Sequence, residues 1–229
     1  MAETDRKTEM NRQFERIYGR APEIWARAPG RVDLMGSHTD YNLGYVMTMT
    51  IDRDVWIAAA PRPDGKVCVH SLNLEGGGEF DLAHIERDLR WPWTDYVRGV
   101  AQQLAMRDCP LRGLDALIHS TVPVGSGLSS SAALEMAAGV VFRQAGGFAL
   151  DPVELALLGQ KAENGFVGVN CRILDQYSSA LGRAGCALLL DYRSLETRNV
   201  PIAPEIQVVI GDTRAKRTLS GCEYGERRA

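Results

Sequence analysis

The chain has 229 residues, of which 45% are hydrophobic and 24% are charged, and its formal net charge at pH 7 is −3. This composition is that of a folded globular protein, and the weak negative charge gives no general attraction to nucleic acid or anionic lipid. No apolar run is long enough to span a membrane, and the amino-terminal segment lacks the apolar core of a secretory signal. We therefore expect a cytoplasmic monomer that binds small molecules, without a membrane or nucleic-acid partner.

The first half of the chain is predicted to contain one helix and then several strands. Apolar residues at helical spacing predict an amphipathic helix over residues 5–18. β-Branched and aromatic residues predict strands over residues 25–34, 45–60 and 66–74. The glycine triplet at residues 76–78 has no basic neighbour, and it predicts a flexible turn rather than a phosphate site.

The second half is predicted to alternate helices and strands. Two of its helices have candidate N-caps, Thr94 and Asp151, and in the second of them proline occupies the first turn. The pattern predicts an α/β (α+β) fold in which helices pack on a mixed β-sheet. Helices are predicted over residues 94–106, 129–145, 152–162 and 173–181, and strands over 114–122, 186–190 and 206–211.

A segment rich in glycine and serine lies between the strand predicted over 114–122 and the helix predicted over 129–145. Glycine allows a backbone to approach a ligand closely, and the first turn of a helix offers unpaired N–H groups to an anion. The segment is therefore a candidate phosphate-binding loop, and an ordinary capped connection is the alternative. It lacks the lysine of a Walker loop, so Mg²⁺ or another cation has to neutralise the phosphates. Its residues are Gly125, Ser126, Gly127, Leu128, Ser129, Ser130 and Ser131.

Polar residues are dense directly after the first predicted strand. His38, Asp40 and Asn42 offer the short, rigid donors and acceptors that the hydroxyl groups of a sugar need. Arg31 can hold charge near a phosphate. A polar turn without a ligand is the alternative explanation of the same residues.

A third segment places the carboxylates of Glu163 and Asp175 on either side of a predicted loop over residues 164–170. One carboxylate can bind Mg²⁺ while the other accepts or orients the proton of a substrate hydroxyl. Asp175, early in its helix, can instead serve only as a favourable charge at the positive end of the helix dipole. Local sequence does not choose between these roles.

In their order along the chain, these three motifs resemble the galactokinases, a branch of the GHMP kinases. The resemblance extends from about Ile24 to the last residue. It implies a GHMP-kinase-type amino-terminal domain over residues 1–211, and it assigns residues 212–229 to a second domain that is mostly absent. The motifs are Pro29-Gly30-Arg31 with His38-Thr39-Asp40-Tyr41-Asn42, then GSGLSSSAA from Gly125, then Ile173-Leu174-Asp175-Gln176, supported by residues 93–99 and 187–191.

The resemblance implies an ATP-dependent kinase that phosphorylates the anomeric hydroxyl of galactose or a close relative. The glycine- and serine-rich loop would wrap the ATP phosphates, and Ser131 with Glu163 would bind Mg²⁺. Asp175 would be the catalytic carboxylate and Arg31 its cationic partner. The implied sugar contacts are His38, Asp40, Asp175 and Tyr224. A catalytically silent relative that senses sugar and ATP, or an inactive fragment, is the alternative.

Two residues depart from the galactokinase pattern. Ser37 stands where the family has glutamate, and Arg172 stands where it has glycine. If both residues approach the C6 end of the sugar, a repelling carboxylate is lost and a guanidinium is gained, which favours a C6 carboxylate such as that of galacturonate. The alternative is that Arg172 points into solvent and that galactose or L-arabinose is the substrate.

Overall fold

A computed structural model of the chain describes residues 3–36 and 38–211. Two of the expected sugar contacts, Ser37 and Tyr224, lie outside the described residues, as does the expected start of a second domain at residues 212–229. Within the described ranges, no helix combines the length and the apolar composition of a membrane span.

The strands are β1 (Ile24–Met35), β2 (Tyr45–Arg62), β3 (Lys66–Ser71), β4 (Gly77–Asp81), β5 (Gly113–Ser120), β6 (Cys186–Asp191) and β7 (Thr197–Pro201). They form one seven-stranded sheet with the order β4-β3-β5-β2-β6-β7, and β1 pairs with β2 beside this path. The pair β3–β5 is parallel, whereas the other pairs are antiparallel. The predicted α/β class with a mixed sheet is therefore confirmed.

The helices are α1 (Glu3–Tyr18), α2 (Asp95–Ala105), α3 (Ser130–Gly146), α4 (Pro152–Lys161) and α5 (Leu174–Leu181), and they cover both faces of the sheet. Because successive residues of a strand point to opposite faces, β2 contributes to two cores. Its Ile57 and Ala59 pack into the large core beneath α2, α3, α4 and α5. Ala58 and Ala60 pack into a smaller core against Met10 and Phe14 of α1.

One of the two candidate N-caps is confirmed. The Asp151 carboxylate accepts a hydrogen bond of 2.8 Å from the Val153 N–H at the start of α4. Thr94 occupies the predicted position directly before α2, but its side chain does not cap the helix. It ends a 3₁₀ turn (Pro92–Thr94), and its hydroxyl donates to the Trp91 carbonyl instead.

The glycine triplet is not a flexible turn, so that prediction is wrong. Gly77 and Gly78 belong to β4 and pair with His70 and Val69 of β3. A Cβ on Gly77 would lie 2.5 Å from the Val69 carbonyl oxygen, and one on Gly76 would lie 2.2 Å from the Trp91 ring. The glycines allow close packing against residues that are distant in sequence, which local sequence does not reveal.

Two further predictions about local structure are wrong. The segment predicted as a loop over 164–170 begins instead as a π-helical turn, Ala162–Val167, that continues directly from α4. Residues 206–211 form no strand, although their apolar residues suggested one, and Ile206 and Val209 are exposed. The β6 edge is paired instead by β7, which the sequence analysis did not predict.

Candidate active site

The glycine- and serine-rich loop joins β5 to α3. Gly125 and Gly127 have φ values of +74° and +78°, in the left-handed region that glycine adopts without strain. Ser129 precedes α3 with φ +60°, and its side chain makes no capping hydrogen bond, so the connection is not an ordinary capped one. The N–H groups of the first turn of α3 have no carbonyl partner within the helix, which leaves them suited to bind an anion.

Strand β1 packs directly against this loop. A Cβ on Gly30 would lie 2.7 Å from the Leu128 carbonyl oxygen, so only glycine allows this approach. The Arg31 N–H donates to the same carbonyl at 3.1 Å, and the Arg31 Nη1 donates to the Gly127 carbonyl at 2.6 Å. The strand therefore fixes the loop and brings the Arg31 guanidinium to it.

Arg31, Ser129 and Asp175 meet at the start of α5. Asp175 Oδ1 accepts from Arg31 Nε at 2.9 Å and from Nη2 at 2.5 Å, and Oδ2 accepts from the Ser129 hydroxyl at 2.6 Å. The side chains of Arg31 and Asp175 keep 13% and 25% of their surface exposed. Asp175 is thus more than a charge at a helix end, because it joins the loop to a guanidinium in a place that a ligand can reach.

Glu163 lies in the π-helical turn and is almost fully buried. Burial raises the pKa of its carboxyl, while hydrogen bonds from the Cys171 thiol, the Ser131 hydroxyl and the Gln176 amide oppose that rise. The structure therefore brings together Ser131 and Glu163, the two residues that the sequence analysis assigned to Mg²⁺.

The donor set is suited to Mg²⁺, which prefers oxygen ligands and keeps waters and substrate phosphates in its coordination sphere. Ser131 and Glu163 supply one hydroxyl and one carboxylate. In the part of the chain that the structure describes, no group of three or more histidine, cysteine, aspartate or glutamate side chains is arranged to hold a metal ion. The remaining ligands would have to come from the nucleotide and from water.

The polar residues after β1 form a second cluster. Asp40 is buried at the start of a 3₁₀ turn (Asp40–Asn42), and its carboxylate accepts from the Tyr41 N–H at 2.8 Å. The Arg172 guanidinium contacts the Asp40 carboxylate and lies 5.6 Å from the centre of the Tyr41 ring. His38 is exposed, and its Nδ1 is 3.1 Å from the Tyr41 hydroxyl. Since the Arg172 side chain is only 20% exposed, the alternative in which it points into solvent is wrong.

Tyr192 lies near the second cluster, and no motif in the sequence predicted its place there. Burial raises the pKa of its hydroxyl, and Asp40, Arg172 and Asp175 all lie close enough to influence that pKa. Its backbone N–H donates to the Gly44 carbonyl at 3.1 Å, which places it beside the loop between β1 and β2. Its only sequence signal is its position directly after the strand motif at residues 187–191.

Two family models match the chain. One is the galactokinase galactose-binding signature, which matches residues 12–61. The other is the amino-terminal domain of the GHMP kinases, which matches residues 95–183. The first match contains Arg31 and the Asp40 turn, and the second contains the glycine- and serine-rich loop, Glu163 and Asp175.

Curated relatives and solved structures agree with these matches. Galactokinases of Chloroflexus aggregans and Chloroflexus aurantiacus are each 52% identical to this chain over 216 residues, which cover 94% of this chain and 55% of each relative. The chain thus spans about half the length of these relatives. Lactococcus lactis galactokinase, solved in complex with galactose, superposes with a TM-score of 0.85 at 34% identity, covering 96% of this chain and 58% of that one.

More distant structures share the fold alone. The mevalonate kinase of Methanococcus jannaschii superposes with a TM-score of 0.65 at 20% identity, covering 79% of this chain. The sequence motifs, the mixed sheet and the 52% identity to two galactokinases lead to the same assignment. The chain is therefore similar to the galactokinases of the GHMP kinase family over about half of their length, and its second family match is to the amino-terminal domain of these kinases.

Proposed function

We propose that this chain provides the sugar- and ATP-binding part of a galactokinase-type sugar 1-kinase. Such an enzyme transfers the γ-phosphoryl group of ATP to the anomeric hydroxyl of galactose or a close relative. The observation that carries the proposal is the contact of Asp175 with both Arg31 and the Ser129 hydroxyl at the loop. We assign residues 1–211 to this binding domain and residues 212–229 to the start of the following region.

The loop would hold the ATP phosphates. Residues 125–130 would surround them with backbone N–H groups and serine hydroxyls, and the start of α3 would add its dipole. Ser131 and Glu163 would hold Mg²⁺, which when bound neutralises phosphate charge. The shared hydrogen bond of these two side chains supports this assignment.

Asp175 and Arg31 would act on the reacting groups. Asp175 would orient the anomeric hydroxyl and take its proton as the new O–P bond forms and the bond between the γ-phosphorus and the ADP oxygen breaks. Arg31 would stabilise the charge of the phosphoryl group in transfer. Because phosphoryl transfer depends mainly on positioning and charge, a loop, a metal ion, an arginine and a carboxylate are sufficient parts.

We assign the sugar hydroxyls to His38, Asp40, Asp175 and Tyr224, with Ser37 and Arg172 at the same site. Galactose is the proposed substrate, because the solved relative at 34% identity was crystallised with galactose. The pairing of Arg172 with Asp40 argues against galacturonate, since Arg172 would have to exchange Asp40 for the ligand carboxylate. Arg172 nevertheless makes galacturonate the second candidate, because a guanidinium is a good partner for a carboxylate.

The substitution Arg172→Gly separates the two substrates. Loss of a charged hydrogen bond worth about 1.5 to 3 kcal/mol would lower kcat/KM for galacturonate by roughly tenfold or more, and it would leave galactose and L-arabinose less affected. We expect galactose to be preferred before and after the substitution. Phosphorylation of galacturonate that is lost in Arg172→Gly would instead establish the second candidate.

The kinase and the silent sensor are distinguished by ADP release. The chain is incubated with ATP, Mg²⁺ and each of several monosaccharides, and ADP is measured beside the equilibrium binding of sugar and nucleotide. Galactose-dependent ADP release supports the kinase. Binding of both ligands without ADP release favours the sensor, and absence of binding contradicts both.

A further inference from the structure

Three polar side chains meet in the interior between α3, α5 and the π-helical turn. The Gln176 amide nitrogen donates to Glu135 Oε2 at 2.9 Å and to Glu163 Oε2 at 2.8 Å. Glu135 and Gln176 have no exposed surface, and Glu163 has 2%. The function proposed above uses Glu163 and gives no role to the other two.

This arrangement is costly if its only purpose is stability. Two carboxyl groups are withdrawn from water, and burial raises the pKa of both. Apolar side chains of similar volume fill such positions without that cost. A buried amide that bridges two carboxyl groups therefore points to a positional role.

The hydrogen-bonded bridge of Glu135, Gln176 and Glu163 joins the elements that carry the candidate active site. Gln176 directly follows Asp175 at the start of α5, and its partner Glu163 also accepts a hydrogen bond from Ser131. Glu135 lies four residues after Ser131, which is about one turn along α3. One amide thus connects the aspartate helix, the π-helical turn and the helix that begins with the serine loop.

Helix α4 closes the space behind the bridge. A Cβ on Gly159 would lie 2.5 Å from Met136 Cε, 3.2 Å from Glu135 Oε2 and 3.3 Å from Gln176 Cγ. Glycine at this position lets α4 pack against the bridge without a gap. Glu135 and Gln176 consequently cannot shift towards α4.

We propose that Gln176 is a positioning residue whose amide, anchored on Glu135, holds the Glu163 carboxylate against Ser131 and fixes it relative to Asp175. The effect on Mg²⁺ rests on the function proposed above, whereas the orientation of Glu163 does not. Groups that hydrogen-bond to a metal ligand typically change metal affinity by about 10- to 100-fold when they are removed. We expect an effect of that size.

The test compares Gln176→Met with the control Ser178→Ala. Methionine keeps the unbranched shape of glutamine but donates no hydrogen bond. Ser178 is also buried on α5, and its hydroxyl lies 2.7 Å from that of Thr48 and donates to the Leu174 carbonyl at 2.6 Å. The control therefore loses buried hydrogen bonds on the same helix without losing a contact to Glu163.

Two measurements are made on each variant of the chain: a ligand-free crystal structure and the Mg²⁺ concentration that gives half-maximal ATP binding. We expect Gln176→Met to turn the Glu163 carboxylate away from Ser131 and to raise that concentration about 10- to 100-fold. Ser178→Ala lowers thermal stability and leaves both quantities unchanged. If Gln176→Met does not fold, Glu135→Met removes the anchor instead, with the same expected direction.

An unchanged Glu163 orientation in the folded variant would overturn the proposal, and so would an equal shift of the Mg²⁺ requirement in Ser178→Ala. If the unaltered chain binds ATP without any dependence on Mg²⁺, the metal assignment of the proposed function fails. The crystal structure of the variant still decides whether Gln176 positions Glu163.

Discussion

Two arginine–aspartate pairs lie on opposite faces of the sheet, and they differ in what surrounds them. Arg31 and Asp175, on the face that carries α5, keep 13% and 25% of their side-chain surface exposed. Arg6 and Asp54, on the face that carries α1, keep only 6% and 3%. The chemical groups are the same, so exposure and neighbours decide whether such a pair supports the fold or is available to a ligand.

The Arg6–Asp54 pair is enclosed by protein partners. Arg6 Nε donates to His119 Nδ1 at 2.7 Å, and Arg6 Nη2 donates to the His119 carbonyl at 2.6 Å. Asp54 contacts Arg27 and accepts from Trp56 Nε1 at 3.2 Å. Although burial favours the neutral acid, Arg6 and these neighbours hold the pKa of Asp54 below its ordinary value. The pair fastens α1 to β2 and β5, and its hydrogen-bonding groups are occupied by these partners.

The largest expected effect is a loss of stability when the Arg6–Asp54 pair, the enclosed pair, is broken. Arg6→Met leaves the Asp54 charge buried beside one arginine instead of two, and removal of one partner of a buried ion pair typically costs about 3 to 5 kcal/mol. Urea unfolding of the chain measures this loss. The matched control is Arg12→Met on the same helix, because Arg12 is 69% exposed and its ion pair with Glu9 lies at the surface. Equal stability of the two variants would contradict a structural role for Arg6.

The partly exposed pair Arg31–Asp175, the open pair, should lose activity rather than stability when it is altered. Asp175→Asn keeps the shape of the side chain but removes the proton acceptor, so we expect galactose-dependent ADP release to fall by about 10²-fold or more. ATP binding should persist, and stability should fall far less than in Arg6→Met, because Asp175 is partly solvated. Isothermal titration with ATP and urea unfolding check these two points. Turnover near that of the unaltered chain would remove Asp175 from the catalytic role.

The sequence predicted the open pair better than the enclosed one. Arg31 and Asp175 stand in motifs that follow a recognisable order along the chain. Arg6 lies in a charged helix whose pattern gives no sign that one of its arginines is buried. Its partner Asp54 is 48 residues away, and only the pairing of β2 with β5 brings His119 to the same place.

Contacts between distant residues also explain what else the sequence could not provide. The pairing of Arg172 with Asp40 depends on how α5 meets the loop after β1, and the Glu135–Gln176 bond joins residues 41 apart. The strand that begins at Gly77 was missed because Gly77 is required by the close approach of Val69, and the preceding Gly76 by the Trp91 ring, not by a flexible turn. Local patterns therefore predicted most of the helices and strands and the motif residues, whereas packing determined which residues they contact and where β4 and β7 form.

The smallest expected effect is a pH dependence of stability that arises from His119, the neighbour of the Arg6–Asp54 pair. Burial lowers the pKa of His119, and the nearby Arg6 guanidinium acts in the same direction, while Asp54 opposes it. The folded state therefore binds fewer protons than the unfolded state below the ordinary histidine pKa of about 6.5, so stability should fall as pH falls through that value. Because the ring is only partly buried, solvent screening should keep the contribution below about 1 kcal/mol.

His119→Asn tests this contribution, because asparagine can place an acceptor oxygen near the position of Nδ1 and does not titrate. Urea unfolding between pH 7.5 and pH 5.5 should show a smaller loss of stability in the variant than in the unaltered chain. The other histidines, among them His70 beside the Tyr18 hydroxyl at 2.9 Å, are present in both proteins, so their contributions cancel in the comparison. Parallel stability curves would show that the Arg6–Asp54 pair holds α1 without regard to the charge of His119, and the pH dependence would then have to arise elsewhere in the fold.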